Sequence, residues 1–236
     1  MSSSRFVFFV YHLALAFLLQ KAFGSQNCSN SIFAANSPYA VNLKDLLNAL
    51  SVRTPRTGFG RASVGQPPAR VHGLALCRGD MSSQDCKSCV EEAAVEIQKR
   101  CPNKRGAIIW YYDCLVKYEN RDFFGEIDTQ NKFYIPNPNN ANNPAAFNRQ
   151  TKRLLSRLTN QASRNSTLYA YGELQEQGLQ RVYGIAQCTR DLSPSDCKTC
   201  LEDLIGEYLP LCCNGREGGR LYSGSCLAQY EVIVPY

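Results

Sequence analysis

The chain has 236 residues, room for one or two globular units, and its 44% hydrophobic and 19% charged content excludes a disordered or fibrous protein. A formal net charge of +6 is too small to imply a nucleic-acid partner. Twelve cysteines against two histidines make the thiols the informative residues, either oxidised in pairs or bound to metal.

The N-terminus decides between these. Arg5 precedes an apolar run from Phe6 to Leu19, and the small-residue stretch Ala22-Phe23-Gly24-Ser25 follows. That is the layout of a secretory signal peptide over residues 1–24, with a run too short to span a membrane comfortably. Without it the chain keeps 24 basic and 20 acidic residues and all its cysteines. The expectation is a secreted, extracellular protein with no membrane span, whose cysteines form disulfides. The tail Glu231-Val232-Ile233-Val234-Pro235-Tyr236 is too short for a lipid-anchor signal.

Beyond residue 24, Leu43, Leu46, Leu47 and Leu50 recur at helical spacing on one face. A strand-like segment leads into Cys77. Ser82-Ser83-Gln84-Asp85 then reads as a helix start, with a serine cap and an acid in the first turn. The helix that follows carries Cys86, Cys89, Val90, Ala93, Ala94 and Ile97 in one stripe, and Ala107–Glu119 reads as strand. Ile135 to Ala145, with three prolines and five asparagines, has linker chemistry.

The whole order then repeats. Phe147, Leu154, Leu155 and Leu158 answer the first helix, and Ser193-Pro194-Ser195-Asp196 answers the second helix start. Cys197, Cys200, Leu201, Leu204, Ile205 and Tyr208 form the second stripe, and Arg220–Val234 reads as strand. Cys77, Cys86, Cys89 and Cys101 recur 111 residues later as Cys188, Cys197, Cys200 and Cys212, and Cys114 recurs at 112 as Cys226, with Cys213 beside the one-residue insertion. This is an internal duplication. The expected fold is α+β: two tandem homologous domains, each with two helices packed on an antiparallel β-sheet and stabilised by disulfides. The divisions are residues 25–129, a Pro/Asn-rich linker and start of the second repeat at 130–145, and 146–236.

Cys86-x2-Cys89 and Cys197-x2-Cys200 look like half of a zinc site, but no second close pair follows at zinc-ribbon spacing, so no metal or other cofactor is expected. The spacings Cys77-x8-Cys86-x2-Cys89 and Cys188-x8-Cys197-x2-Cys200 resemble the signature of the plant cysteine-rich repeat secretory proteins. So do Ala107-Ile108-Ile109-Trp110-Tyr111, Gln187-Cys188-Thr189-Arg190-Asp191-Leu192 and Cys212-Cys213-Asn214-Gly215. The domain of that family resembles ginkbilobin, a mannose-binding antifungal seed protein, and forms the ectodomain of cysteine-rich receptor-like kinases. The resemblance implies disulfides Cys28–Cys101, Cys77–Cys86, Cys89–Cys114, Cys188–Cys197 and Cys200–Cys226. It leaves Cys212 and Cys213 unassigned, free to bond each other, to stay reduced or to link two chains.

Catalysis is not expected. Beyond the signal peptide the single histidine, His72, occupies the place of Tyr183 in the other repeat and reads as an aromatic slot in a strand. Glu91 and Glu92 read as a solvated helix face, and no convincing pair of opposed carboxylates is visible. The resemblance instead implies a carbohydrate site built from an Asn, an Arg and a Glu, which fall on Asn137, Arg220 and Glu231. In the first repeat only Glu119 matches, with Ser29 and Ile108 at the other two positions. Asn27 and Asn165 head glycosylation sequons, and Arg149, Lys152, Arg153 and Arg157 crowd one helix, where a solvated face is the plain reading and an acidic polysaccharide or phospholipid the alternative. The expected partners are mannose-type glycans, in a defence role, or cell-surface proteins met by a tandem interaction module. A third reading is a redox-responsive protein switching at Cys212 and Cys213. The sequence does not set an oligomeric state.

Overall fold

The computed structural model describes residues 24–232, so all but Gly24 of the expected signal peptide lies outside the described residues, as do the last four residues of the tail. The first repeat contains β1 (Ser25–Cys28), α1 (Pro38–Arg53), β2 (Phe59–Val64), β3 (Val71–Cys77), α2 (Ser83–Arg100), β4 (Ala107–Trp110) and β5 (Cys114–Glu119). The second contains β6 (Lys132–Pro136), α3 (Pro144–Ala162), β7 (Tyr169–Leu174), β8 (Val182–Cys188), α4 (Pro194–Cys212), β9 (Gly218–Ser223) and β10 (Cys226–Glu231). Each repeat folds as a five-stranded antiparallel sheet, in the order β1-β4-β5-β3-β2 and β6-β9-β10-β8-β7, with two helices on one face. The α+β duplication is therefore present as expected.

Local chemistry explains the elements. Ser82 and Ser193 cap α2 and α4, each Oγ accepting the N–H of the third residue on (Asp85, Asp196) at 3.1 Å, and each acid stands in its helix's first turn. Pro38, Pro144 and Pro194 open their helices, where a missing N–H costs nothing. The leucines of α1 and the Phe147–Leu158 stripe of α3 are buried against the sheets and form the two cores with the cysteine-bearing helices. Disulfides tie strand to helix at Cys77–Cys86, Cys89–Cys114, Cys188–Cys197 and Cys200–Cys226, and Cys28–Cys101 fastens β1 to the end of α2.

The second repeat replaces that last bridge. Pro136 faces Gly219 as Cys28 faces Ala107, so a proline stands where the first repeat has its thiol. Cys101 caps α2 with its N–H on the Ile97 carbonyl, and Cys213 caps α4 with its N–H on that of Leu209. By position Cys213, not Cys212, is therefore the counterpart of Cys101, and the inserted residue lies inside α4, which also holds Pro210. Cys213 is bonded to its neighbour Cys212.

The faces of the sheets away from the helices pack on each other. Leu74, Leu76, Ile108, Trp110, Leu115 and Phe123 meet Phe133, Ile135, Tyr222 and Leu227 in a third apolar cluster. The Phe133 and Tyr222 rings stack at 4.8 Å between centroids, and the Trp110 ring meets Phe133 edge-on at 5.0 Å. Two side chains donate across the seam: Trp110 Nε1 to the Ser223 carbonyl at 2.9 Å and Gln187 Nε2 to the Cys77 carbonyl at 3.0 Å. The buried Lys117 ammonium reaches Asp128 at 2.7 Å and Glu119 at 3.3 Å, and the Asp128 N–H donates to Ser225 Oγ. Burial would raise the Asp128 carboxyl, but Lys117 and donors from Asn131 outweigh it and hold it below its ordinary value.

Candidate functional site

Asn137, Arg220 and Glu231 lie on the outer face of the second sheet, at the margin of the seam. Asn137 follows β6, and its backbone N–H donates to the Gly218 carbonyl at 2.9 Å, as that of Ser29 does to Gly106. Glu231 stands opposite Gly218 on the far side of β9. The three positions thus run in a row across neighbouring strands. The missing side chain of Gly218 makes the row possible, because a Cβ there would occupy the space of the Glu231 carboxylate. Asn137 Nδ2 donates to Glu231 Oε1 at 2.6 Å, across 94 residues of chain.

Glu231 is half-buried. Burial pushes its carboxyl up, and the Asn137 hydrogen bond and the Arg220 charge only partly offset this. Arg220 is the diagonal neighbour of Glu231, opposite Gln229 and Ile135. Among the described residues no ion pair within 4.0 Å joins it to Glu231. Its guanidinium instead lies over the Tyr112 ring of the first repeat, 4.5 Å from the centroid, and that of Arg78 lies 4.7 Å from the same ring. The structure therefore brings Asn137 and Glu231 into contact and turns Arg220 beside them toward the first repeat.

There Arg220 lines a cleft of about 340 Å³ between the repeats, walled by Trp110, Tyr112, Phe133 and Tyr222 and bordered by the start of β1. Burial raises the Tyr222 hydroxyl to about 12. Sequence reasoning missed these aromatic walls because no single repeat contains them. One signal was available: Ala107-Ile108-Ile109-Trp110 is apolar without alternation, the mark of a strand covered on both faces.

At the equivalent place in the first repeat, Ile108 is buried in the seam, and Glu119 is tied up by Lys117 and by Arg121 at 3.1 Å. His72 is buried on β3, with Ser63 Oγ 2.8 Å and Asp122 Oδ1 3.9 Å away. Both approach the same nitrogen, Nδ1, so the trio lacks the relay of a hydrolase, in which serine and acid take opposite ring nitrogens. Glu91 and Glu92 are exposed on α2, and Asn27 and Asn165 are exposed. Among the described residues no group of three or more His, Cys, Asp or Glu could hold a metal ion, and no helix is long and apolar enough to cross a membrane.

Comparison with known proteins shows the family and the fold. The model of the family described as salt stress response/antifungal matches residues 26–121 and again 135–232. The chain belongs to that family. Within the salt stress response/antifungal proteins it is 52% identical to an antimicrobial ginkbilobin-2-like protein of Castanea crenata, over 86% of this chain and 84% of that one. It is 48% identical to cysteine-rich repeat secretory protein 38 of Arabidopsis thaliana, over 94% and 88%. Its fold matches the tandem DUF26 ectodomains of two Arabidopsis thaliana cysteine-rich receptor-like proteins. PDLP8 gives a TM-score of 0.76 at 29% identity over 88% of this chain and 96% of that one, and PDLP5 gives 0.73 at 26% over 88% and 97%. The resemblance to the cysteine-rich repeat secretory proteins is thus borne out, and the protein is a secreted, extracellular member of the family.

Proposed function

We propose that this secreted protein is a non-catalytic binding protein that takes mannose-type glycans on its second repeat, in a defence role, through Asn137, Arg220 and Glu231. The observation that carries this reading is the half-buried Glu231 carboxylate, kept beside the bare Gly218 and held by the Asn137 amide. A sugar hydroxyl both donates and accepts, so a carboxylate, an amide and a guanidinium on one face offer it complementary partners. The aromatic walls of the adjoining cleft provide an apolar surface for the ring of a second sugar.

The test is binding of mannan and mannose oligosaccharides to the folded protein by calorimetry, beside Arg220→Ala, Asn137→Ala and Glu231→Gln. Affinity should fall about tenfold or more in each variant, as expected for loss of one or two charge-assisted hydrogen bonds. Undiminished binding in all three, or no binding by the parent protein, would sink the reading. The second outcome favours a tandem module for protein partners. That alternative is supported by the commitment of Arg220 to Tyr112 across the seam and by the likeness to receptor-like ectodomains.

A further inference from the structure

The helix α3 differs in charge from the other helices among the described residues. It carries Arg149, Lys152, Arg153 and Arg157 and no acidic residue, and Arg164 follows just beyond its end. Its counterpart α1 mixes Lys44 and Arg53 with Asp45, α2 carries both signs, and α4 sets the single cation Lys198 among Asp196, Glu202, Asp203 and Glu207. All five cations are exposed. Arg149, Arg153 and Arg157 stand four residues apart, about 6 Å along the axis, so they form a row that winds about 40° around the helix at each step.

Little on the protein answers these charges. Arg153 pairs with Glu176, and Arg157 donates to the backbone carbonyl of Glu173, whose own carboxylate is taken by Arg181. Arg149, Lys152 and Arg164 have no ion pair within 4.0 Å among the described residues. The row ends in an open groove where Arg157 and Arg164 flank Asn160 and Gln161. Guanidinium groups set among amides suit a ligand that alternates carboxylates with hydroxyls. The exposed face of α3 carries no large apolar side chain to enter a membrane.

We propose that α3 is a docking surface for a linear acidic polysaccharide carrying a carboxylate on each sugar. It lies on the helix side of the second sheet, apart from Asn137, Arg220 and Glu231 on the outer face, and takes a different class of glycan.

The probe is polygalacturonate, measured against the enzymatically deglycosylated protein because Asn165 adjoins the groove. The triple variant Arg149→Gln, Lys152→Gln, Arg164→Gln removes only cations without a protein partner. It should weaken binding about tenfold, and added salt should weaken the parent's binding steeply. A control of equal charge on the first repeat, Lys44→Gln, Arg53→Gln, Arg56→Gln, should change affinity less than about twofold. Equal loss in both triples would reduce the effect to net charge and overturn the proposal. So would equal binding of fully methyl-esterified polymer, or binding only to anionic phosphatidylserine vesicles.

Discussion

The two repeats share a topology and a cysteine frame, yet they resolve the same positions differently. Where the first repeat places Ile108 and a fully engaged Glu119, the second places Arg220 and a Glu231 held by an amide. Where the first spends a lysine, Lys117, to anchor the segment between the repeats, the second has Gln229 at the matching step of the strand. The first has become the structural partner, its outer face sealed, and the second keeps polar groups at the rim. A duplicated fold that buries one face of each copy leaves a margin where the two copies need not keep the same residues.

The largest expected effect comes from breaking the seam that enforces this division. Trp110→Ala removes an indole packed on Phe133 and hydrogen-bonded to Ser223, and should cost about 3–5 kcal/mol in denaturant unfolding; a loss below about 1 kcal/mol would mean that the repeats do not stabilise each other. Next comes Asp128→Asn, which strips the buried Lys117 of its shorter ion pair, at about 3 kcal/mol. Because the Asp128 carboxyl is held below its ordinary value, its contribution is present above the usual carboxylate range and is lost as pH falls through the lowered value. The acid limb of the stability profile should therefore be shallower in the variant.

The disulfides separate the repeats more finely. Cys28→Ser with Cys101→Ser opens a bridge spanning 73 residues and should cost about 2–4 kcal/mol. Cys212→Ser with Cys213→Ser opens a bridge between neighbours that constrains little of the unfolded chain, and should cost about 1 kcal/mol or less. Equal losses would show that the second bridge acts on the native fold. The smallest effect carries the most information about function. The Glu231 carboxyl is raised, so the stability tied to its protonated form is lost as pH climbs from the ordinary carboxylate range through the raised value. Glu231→Gln should flatten that loss and stabilise the neutral-pH protein by under about 1 kcal/mol, while glycan affinity falls. Thermal melts at pH 4 and pH 7 beside the binding assay would detect the opposed changes, and a variant that loses both stability and binding would assign Glu231 a structural role.

Much of the fold could be read in advance because cysteine spacing and helix chemistry are local. The Cys-x8-Cys-x2-Cys spacings, the serine caps and the leucine stripes each act over a few residues and appear in the structure where the sequence puts them. What escaped depends on distant pairing. The outer strands β1, β2, β6 and β7 carry weak local patterns and are set by the strands beside them. The Pro/Asn-rich stretch supplied Ile135 to the seam, since strand pairing with β9 outweighs linker composition. Counting alone makes Cys212 the counterpart of Cys101, but one residue inserted within α4 hands the capping place to Cys213. For the site, the residues singled out by resemblance lie side by side, whereas the aromatic cleft beside Arg220 exists only once two repeats meet.

That meeting has a cost during synthesis. The strands carrying Leu74, Leu76 and Trp110 leave the ribosome long before Tyr222 and Leu227, which cover them. At roughly 5–20 residues per second the delay is on the order of ten seconds. Through that interval the nascent first repeat presents a broad oily face that only its own second half covers in the finished fold.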